Sequence, residues 1–380
     1  MKTTPNTLRL LTLLLAWFCT FPALAEPPQE KTGQVSLPGT ETIGFHSVVT
    51  KQHYQLHVAL PTGYEATGRR YPVLLLLDSD IHFGFVKSVT EALHLAGILP
   101  DVILVGIGYG EVTLAQWSRN RDRDFLVTPK PGPLPGDSGN ATQFLTFLRD
   151  ELLPRIETSY RVKAEDRTLL GMSAGAIFAA HILAVSPEMF RRYIIVSPYL
   201  IAGQDAILAQ ETAFSKTHKD IDARVYTALG ETELGVAGPG WKTFCSNLLQ
   251  RNYPGLILHQ ETFKGLTHFE MAYAAYLNGI KDVFGKRPAP LKTLSVRYPS
   301  MAGRYFLSLA GLPIIVKAEG GQLWVYLGPD PAELLPVSDT RFTAKGIPGM
   351  EFSFIPDESG QAEILLITQM GFDIAAWRMP

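Results

Sequence analysis

The chain has 380 residues, 46% hydrophobic and 18% charged, which excludes a disordered polymer and leaves room for more than one folded domain. Its formal net charge is −2, so there is no basic surplus to hold a phosphate backbone and no nucleic-acid partner is expected.

In chain order, Lys2 and Arg9 precede an apolar run from Leu10 to Phe21, and Ala23-Leu24-Ala25 follows. Charged, apolar, then Ala-x-Ala is the order of a cleavable secretory signal peptide, here residues 1–25. The run is shorter than the roughly 20 residues of a membrane span. The expectation is a periplasmic or secreted protein with no stable membrane insertion after cleavage. Without Cys19 only Cys245 remains, so an intramolecular disulfide and a cysteine zinc cluster are both excluded, and no metal site is expected.

Residues 34–286 alternate strand-like and helix-like stretches. Residues 42–50 and 54–60 read as a hairpin, with Tyr54, Leu56 and Val58 alternating against Gln55 and His57. Short apolar runs follow at 72–78, 102–108, 167–172, 192–198, 223–229 and 255–263, as strands buried on both faces require. Helical spacing falls at 84–96, 141–158, 174–185, 203–219, 239–252 and 270–284; Phe144, Phe147, Leu148, Leu152 and Ile156 share one face of the second. This predicts an α/β domain with a doubly wound, mostly parallel sheet and an antiparallel start. Residues 287–294, basic and proline-containing, read as a linker. Beyond them 302–309, 313–318, 322–327, 350–355 and 361–368 read as strands, so 295–380 is expected to be a small all-β sandwich or barrel.

One motif carries chemistry. Gly171-Met172-Ser173-Ala174-Gly175 matches G-x-S-x-G, lies at the end of the 167–172 strand and opens an alanine-rich helix. A nucleophile elbow needs that setting, because the turn tolerates only small neighbours and lifts the serine above the sheet. A serine needs a base, and in this strand order the base follows the last strand and the orienting acid the one before. His268, in Lys264-Gly265-Leu266-Thr267-His268, is the one histidine of nine in that loop. Glu233 is the preferred acid, three residues after Gly230, with Glu231 as the alternative. The backbone N–H of Ala174, with that of Ser79 or Asp80 after the 72–78 strand, is expected to form an oxyanion hole.

The 109–140 segment leaves the carboxyl end of the sheet, where open α/β folds bind ligands. It carries Arg119-Asn120-Arg121-Asp122-Arg123-Asp124, read as a charged loop in which Arg121 and Arg123 are candidates for binding an anionic substrate. The following PKPGPLPGDSG stretch reads as a stiff rim.

Residues 40–285 resemble the esterase D-like esterase family of the α/β-hydrolase fold, nearest to its periplasmic siderophore hydrolase branch. The matching stretches are Tyr71-Pro72-Val73, Leu77 to Phe83, Arg121 to Pro129, Glu151 to Pro154, Tyr160-Arg161, Leu170 to Gly175, and Phe190-Arg191 with Ser197-Pro198. The resemblance implies hydrolysis of a small-molecule carboxylic ester, of siderophore or acylated-sugar type, without a cofactor. Met172, Gly175-Ala176, Ser79 and Tyr199 depart from the family pattern, and Ser79 stands where glycine is usual. Two other readings stay open: an acyltransferase on the same triad, and a ligand-binding protein on a hydrolase fold. The partner of the C-terminal β domain is not specified by sequence.

Overall fold

A computed structural model describes residues 36–65, 68–130, 138–200, 204–285, 298–328, 330–357, 359–369 and 372–380. The expected signal peptide (1–25), the linker (287–294) and most of the proline-rich rim lie outside the described residues. Two compact units are present, one over residues 39–289 and a second containing residues 290–380.

The first unit is an eight-stranded sheet in the order β1-β2-β4-β3-β5-β6-β7-β8. Strands β1 (Thr40–His46) and β2 (His53–Ala59) form the opening antiparallel hairpin. Strands β3 (Tyr71–Leu76), β4 (Ile103–Gly108), β5 (Val162–Met172), β6 (Arg192–Val196), β7 (Arg224–Gly230) and β8 (Ile257–Phe263) are parallel. Strands β3 and β4 are buried throughout, as their unbroken apolar runs predict. Strand β8 differs: it lies at the sheet edge and most of its side chains are exposed or half-buried.

Helices cover both faces. Helices α1 (Ser79–Leu95) and α7 (Glu270–Phe284) pack on one, around Leu74, Leu76, Leu170 and Met172. The other face receives α2 (Leu114–Phe125), α3 (residues 141–159), α4 (Ala174–Val185), α5 (Gln204–Thr217) and α6 (Gly238–Arg251), around Leu75, Val105, Leu169 and Ile195. Adjacent Leu169 and Leu170 serve opposite faces, the period-two alternation of a strand. Helix α3 runs Ala141–Phe147, widens into a π turn over Leu148–Leu152, and resumes at Leu153–Ser159. Pro154 explains the widening: it has no N–H for the helical ladder and its ring crowds the carbonyl four residues back. Helix α2 occupies a segment expected to be a loop. Thr113 and Gln116 form a capping box at its start.

In the second unit a short helix α8 (Tyr298–Met301) precedes strands β9 (Gly303–Leu307), β10 (Leu312–Glu319), β11 (Gln322–Tyr326), β12 (Ala332–Pro336), β13 (Arg341–Ala344), β14 (Met350–Pro356), β15 (Ala362–Gln369) and β16 (Phe372–Arg378). They close into an antiparallel barrel, with β9 pairing both β10 and β16. Of sandwich and barrel, the barrel is the architecture present, and it leaves no free edge. Side chains fill the interior, among them Tyr305, Leu323, Phe342, Phe352 and Phe354.

Candidate active site

Ser173 sits between β5 and α4 with φ 58° and ψ −118°, a conformation that L-residues avoid. The glycines two residues to either side allow this turn. A Cβ on Gly171 would lie 2.4 Å from the carbonyl oxygen of Gly175, and one on Gly175 would lie 3.3 Å from Asp78 Oδ2. The Ser173 amide donates to the carbonyl of Val196 at 2.9 Å, which ties the turn to the end of β6. Its side chain is half-buried.

The loops after β7 and β8 meet at the same end of the parallel sheet. Glu233 Oε1 accepts from His268 Nδ1 at 2.5 Å, and Glu233 Oε2 accepts the Gly230 amide at 3.0 Å. Burial by itself raises the carboxyl pKa of Glu233. The bonds from His268, Ser197 and the Gly230 amide outweigh it and hold the group below the ordinary glutamate value. Glu231 does different work: its Oε2 accepts the amide of Gly265 at 2.7 Å, fastening the acid loop to the base loop. Gly230 permits the same approach, since a Cβ there would lie 2.5 Å from the carbonyl of Leu266.

Sequence reasoning missed Ser197 as a site residue. It follows β6, is fully buried, has φ 51°, and its Oγ donates to Glu233 Oε1 at 2.6 Å while lying 2.8 Å from His268 Nδ1. The available signal was position: a serine directly after the strand between those carrying Ser173 and Glu233, before Pro198. The structure therefore joins Glu233, His268 and Ser197 by hydrogen bonds, with Ser173 at the neighbouring strand end.

Ser79 and Asp80 open α1, and Ala174 opens α4. First-turn amides have no intrahelical acceptor and point out of the helix end, the geometry an oxyanion requires. Asp78, before α1, is in the left-handed region (φ 56°). The Ser79 side chain turns away to His57, whose Nδ1 lies 2.8 Å from Ser79 Oγ. Its bulk is accommodated by Gly106, where a Cβ would lie 2.4 Å from that of Ser79. The Asp80 carboxylate accepts the amides of Tyr109 (2.7 Å) and Gly110 (3.1 Å), so it joins the loops after β3 and β4.

Both candidate substrate arginines are engaged within the protein. Arg121 makes a two-pronged pair with Asp78 (2.6 and 2.9 Å), reaches the carbonyl of Met172 at 3.3 Å, and stacks 4.3 Å over the Trp117 ring. Arg123 makes a similar pair with Asp124 (2.7 and 2.8 Å) and donates to Gln52 and Asn120. These forks hold buried carboxylates, and the arginine-bearing segment is a helix rather than a solvated loop. The contacts of Arg121 join the residue before Ser173 to the residue before Ser79.

Residues 47–235 match the family model described as "Putative esterase". The chain is 29% identical over 213 residues to "Ferri-bacillibactin esterase BesA" of Bacillus subtilis, covering 52% of this chain and 72% of that protein. It is 31% identical over 180 residues to "Siderophore triacetylfusarinine C esterase" of Aspergillus fumigatus, covering 44% and 58%. The chain thus spans less than two thirds of the second relative. A crystal structure of BES protein from Bacillus cereus superposes with a TM-score of 0.59 at 24% identity, covering 68% of this chain and 99% of that one, a likeness of fold. Fold, family match and relatives together define a carboxylic ester hydrolase of the α/β-hydrolase class. Over residues 47–235, just under half of its length, the chain is similar to the esterase family described by that model.

Proposed function

We propose that the protein is an exported serine esterase working through Ser173, His268 and Glu233. The observation that carries this reading is the Glu233–His268 hydrogen bond of 2.5 Å, in the loops after β7 and β8, at the same end of the sheet as a strained, glycine-bounded serine. Ser173 Oγ attacks the acyl carbonyl and passes its proton to His268 Nε2, while Glu233 fixes the proton on Nδ1 and stabilises the imidazolium. The amides of Ala174 and of Ser79 or Asp80 hold the tetrahedral oxyanion. His268 then protonates the leaving alcohol, and water repeats the sequence to release the acid. Arg121 keeps the two amide-bearing loops in register. The sequence of residues 1–25 supports export.

The proposed substrate is a siderophore-type ester. The relatives are named for such esters, and Phe269, exposed with its ring 5.0 Å from that of His268, offers a face on which a ring can stack. The test compares wild type with Ser173→Ala on a short-chain nitrophenyl ester, then on catecholate siderophores, feruloylated sugars and acylated sugars. Loss of nearly all turnover in the variant, with the siderophores hydrolysed fastest by wild type, is the expected result. Equal rates in wild type and variant would remove the mechanism; a preference for a sugar ester would remove only the substrate.

A further inference from the structure

We propose that Ser197 is a positioning residue of this site, a fourth member that sets the geometry of the acid–base pair without touching substrate; the proposal rests on the Ser173–His268–Glu233 reading. Its hydroxyl, Glu233 Oε1 and His268 Nδ1 form a closed triangle with sides of 2.6, 2.8 and 2.5 Å. With the imidazole proton on Nδ1, that N–H is shared between Glu233 and Ser197 Oγ, and the Ser197 hydroxyl proton goes to Glu233. Every polar hydrogen in the triangle then has an acceptor, and the opposite ring nitrogen is left unprotonated, as a general base needs.

Position and backbone agree with this role. Strand β6 lies between β5, which leads to Ser173, and β7, which leads to Glu233. The Val196 carbonyl holds the Ser173 amide, and the Ser197 amide donates to Ala228 at 2.7 Å on the other side. One dipeptide therefore sets the nucleophile's turn with its backbone and the acid–base pair with its side chain. Ser197 holds φ 51°, a region that disfavours side chains, and it is fully buried, so neither solvent nor substrate accounts for the hydroxyl. A serine maintained there against backbone preference is explained by the two bonds it makes.

The triangle also answers a difficulty of the acid loop. Glu233 has the conformational freedom of a long side chain, and among the described residues its Oε2 accepts only the Gly230 amide. A second, charge-assisted bond to Oε1 fixes the carboxylate plane and hence the imidazole plane. Catalysis depends on such orientation to within tenths of an ångström.

The test uses the full chain with Ser197→Ala and Ser197→Gly, and Ser173→Ala as reference. Both Ser197 variants remove the hydroxyl, but glycine also relieves the positive φ, so it should fold at least as stably as alanine. The expected result is a kcat about 10- to 100-fold below wild type in both, with KM changed by less than about twofold. The downfield proton resonance of His268 Nδ1, assigned by its loss in His268→Gln, should shift in both variants. Wild-type kcat in either variant, or an activity loss that follows thermal stability and is absent in Ser197→Gly, would overturn the proposal. Wild-type turnover by Ser173→Ala would instead remove the underlying mechanism, and Ser197's role with it.

Discussion

At the scale of single residues, the site stores conformational strain where the proposed chemistry needs it. Ser173 is held at φ 58°, ψ −118° by contacts that its own stability does not favour. Replacing it with glycine should abolish turnover yet raise the unfolding free energy by about 1 kcal/mol in a urea titration. A variant less stable than wild type would mean the elbow is unstrained. Glu233 gives a pH prediction. Its native pKa lies below the ordinary value of 4.5, so its ionised form contributes stability that is complete above that value and is lost as pH falls through the lowered one. The difference in Tm between wild type and Glu233→Gln should therefore be largest near neutrality and shrink below about pH 4.5. A gap that stays constant through acid would contradict this. The placement of Ser173, Glu233 and His268 in the loops after β5, β7 and β8 was legible in sequence because each stands at a short offset from a strand end. Ser197 also directly follows a strand, but no motif marks a side chain whose role lies in its bonds to Glu233 and His268, so its position alone was not read as a site.

Among the secondary-structure elements, the strands were legible where burial is complete and obscure where it is shared. Unbroken apolar runs marked β3 and β4 to within a residue or two. Helix α2 was hidden because the face it turns inward carries charge: Arg121 pairs with Asp78 and Arg123 with Asp124, so apolar periodicity does not reveal a helix. Its one plain signal was Thr113 with Gln116 at the capping positions. The departure of Ser79 from the family's usual glycine is resolved between elements, for Gly106 on β4 leaves the space that Ser79 on α1 fills. Gly106→Ala should therefore cost about 1–3 kcal/mol of stability and lower kcat, and adding Ser79→Gly should restore much of both. Additive effects of the two substitutions, measured in a double-mutant cycle, would show that the positions are independent.

For the whole molecule, the two-part organisation was visible as a change in pattern, from strands alternating with helices to strands alone. Three barrel strands were missed, β12, β13 and β16. Strands β12 and β13 are short, flank a Ser-Asp turn, and bury few residues each, so closure of the barrel rather than their composition makes them strands. Because the barrel has no free edge and its own aromatic core, residues 295–380 expressed alone should fold and give a dispersed NMR spectrum. A collapsed, poorly dispersed spectrum would contradict this. Among the described residues no helix is long and apolar enough to cross a membrane. What joins these scales is one serine at the carboxyl end of the sheet, and its reactivity can be read directly. Treating the intact protein with a fluorophosphonate and mapping the adduct by peptide mass spectrometry should place one label on Ser173, with labelling slowed at least about 100-fold in His268→Ala. A label on any other residue, or wild-type labelling without His268, would contradict the account.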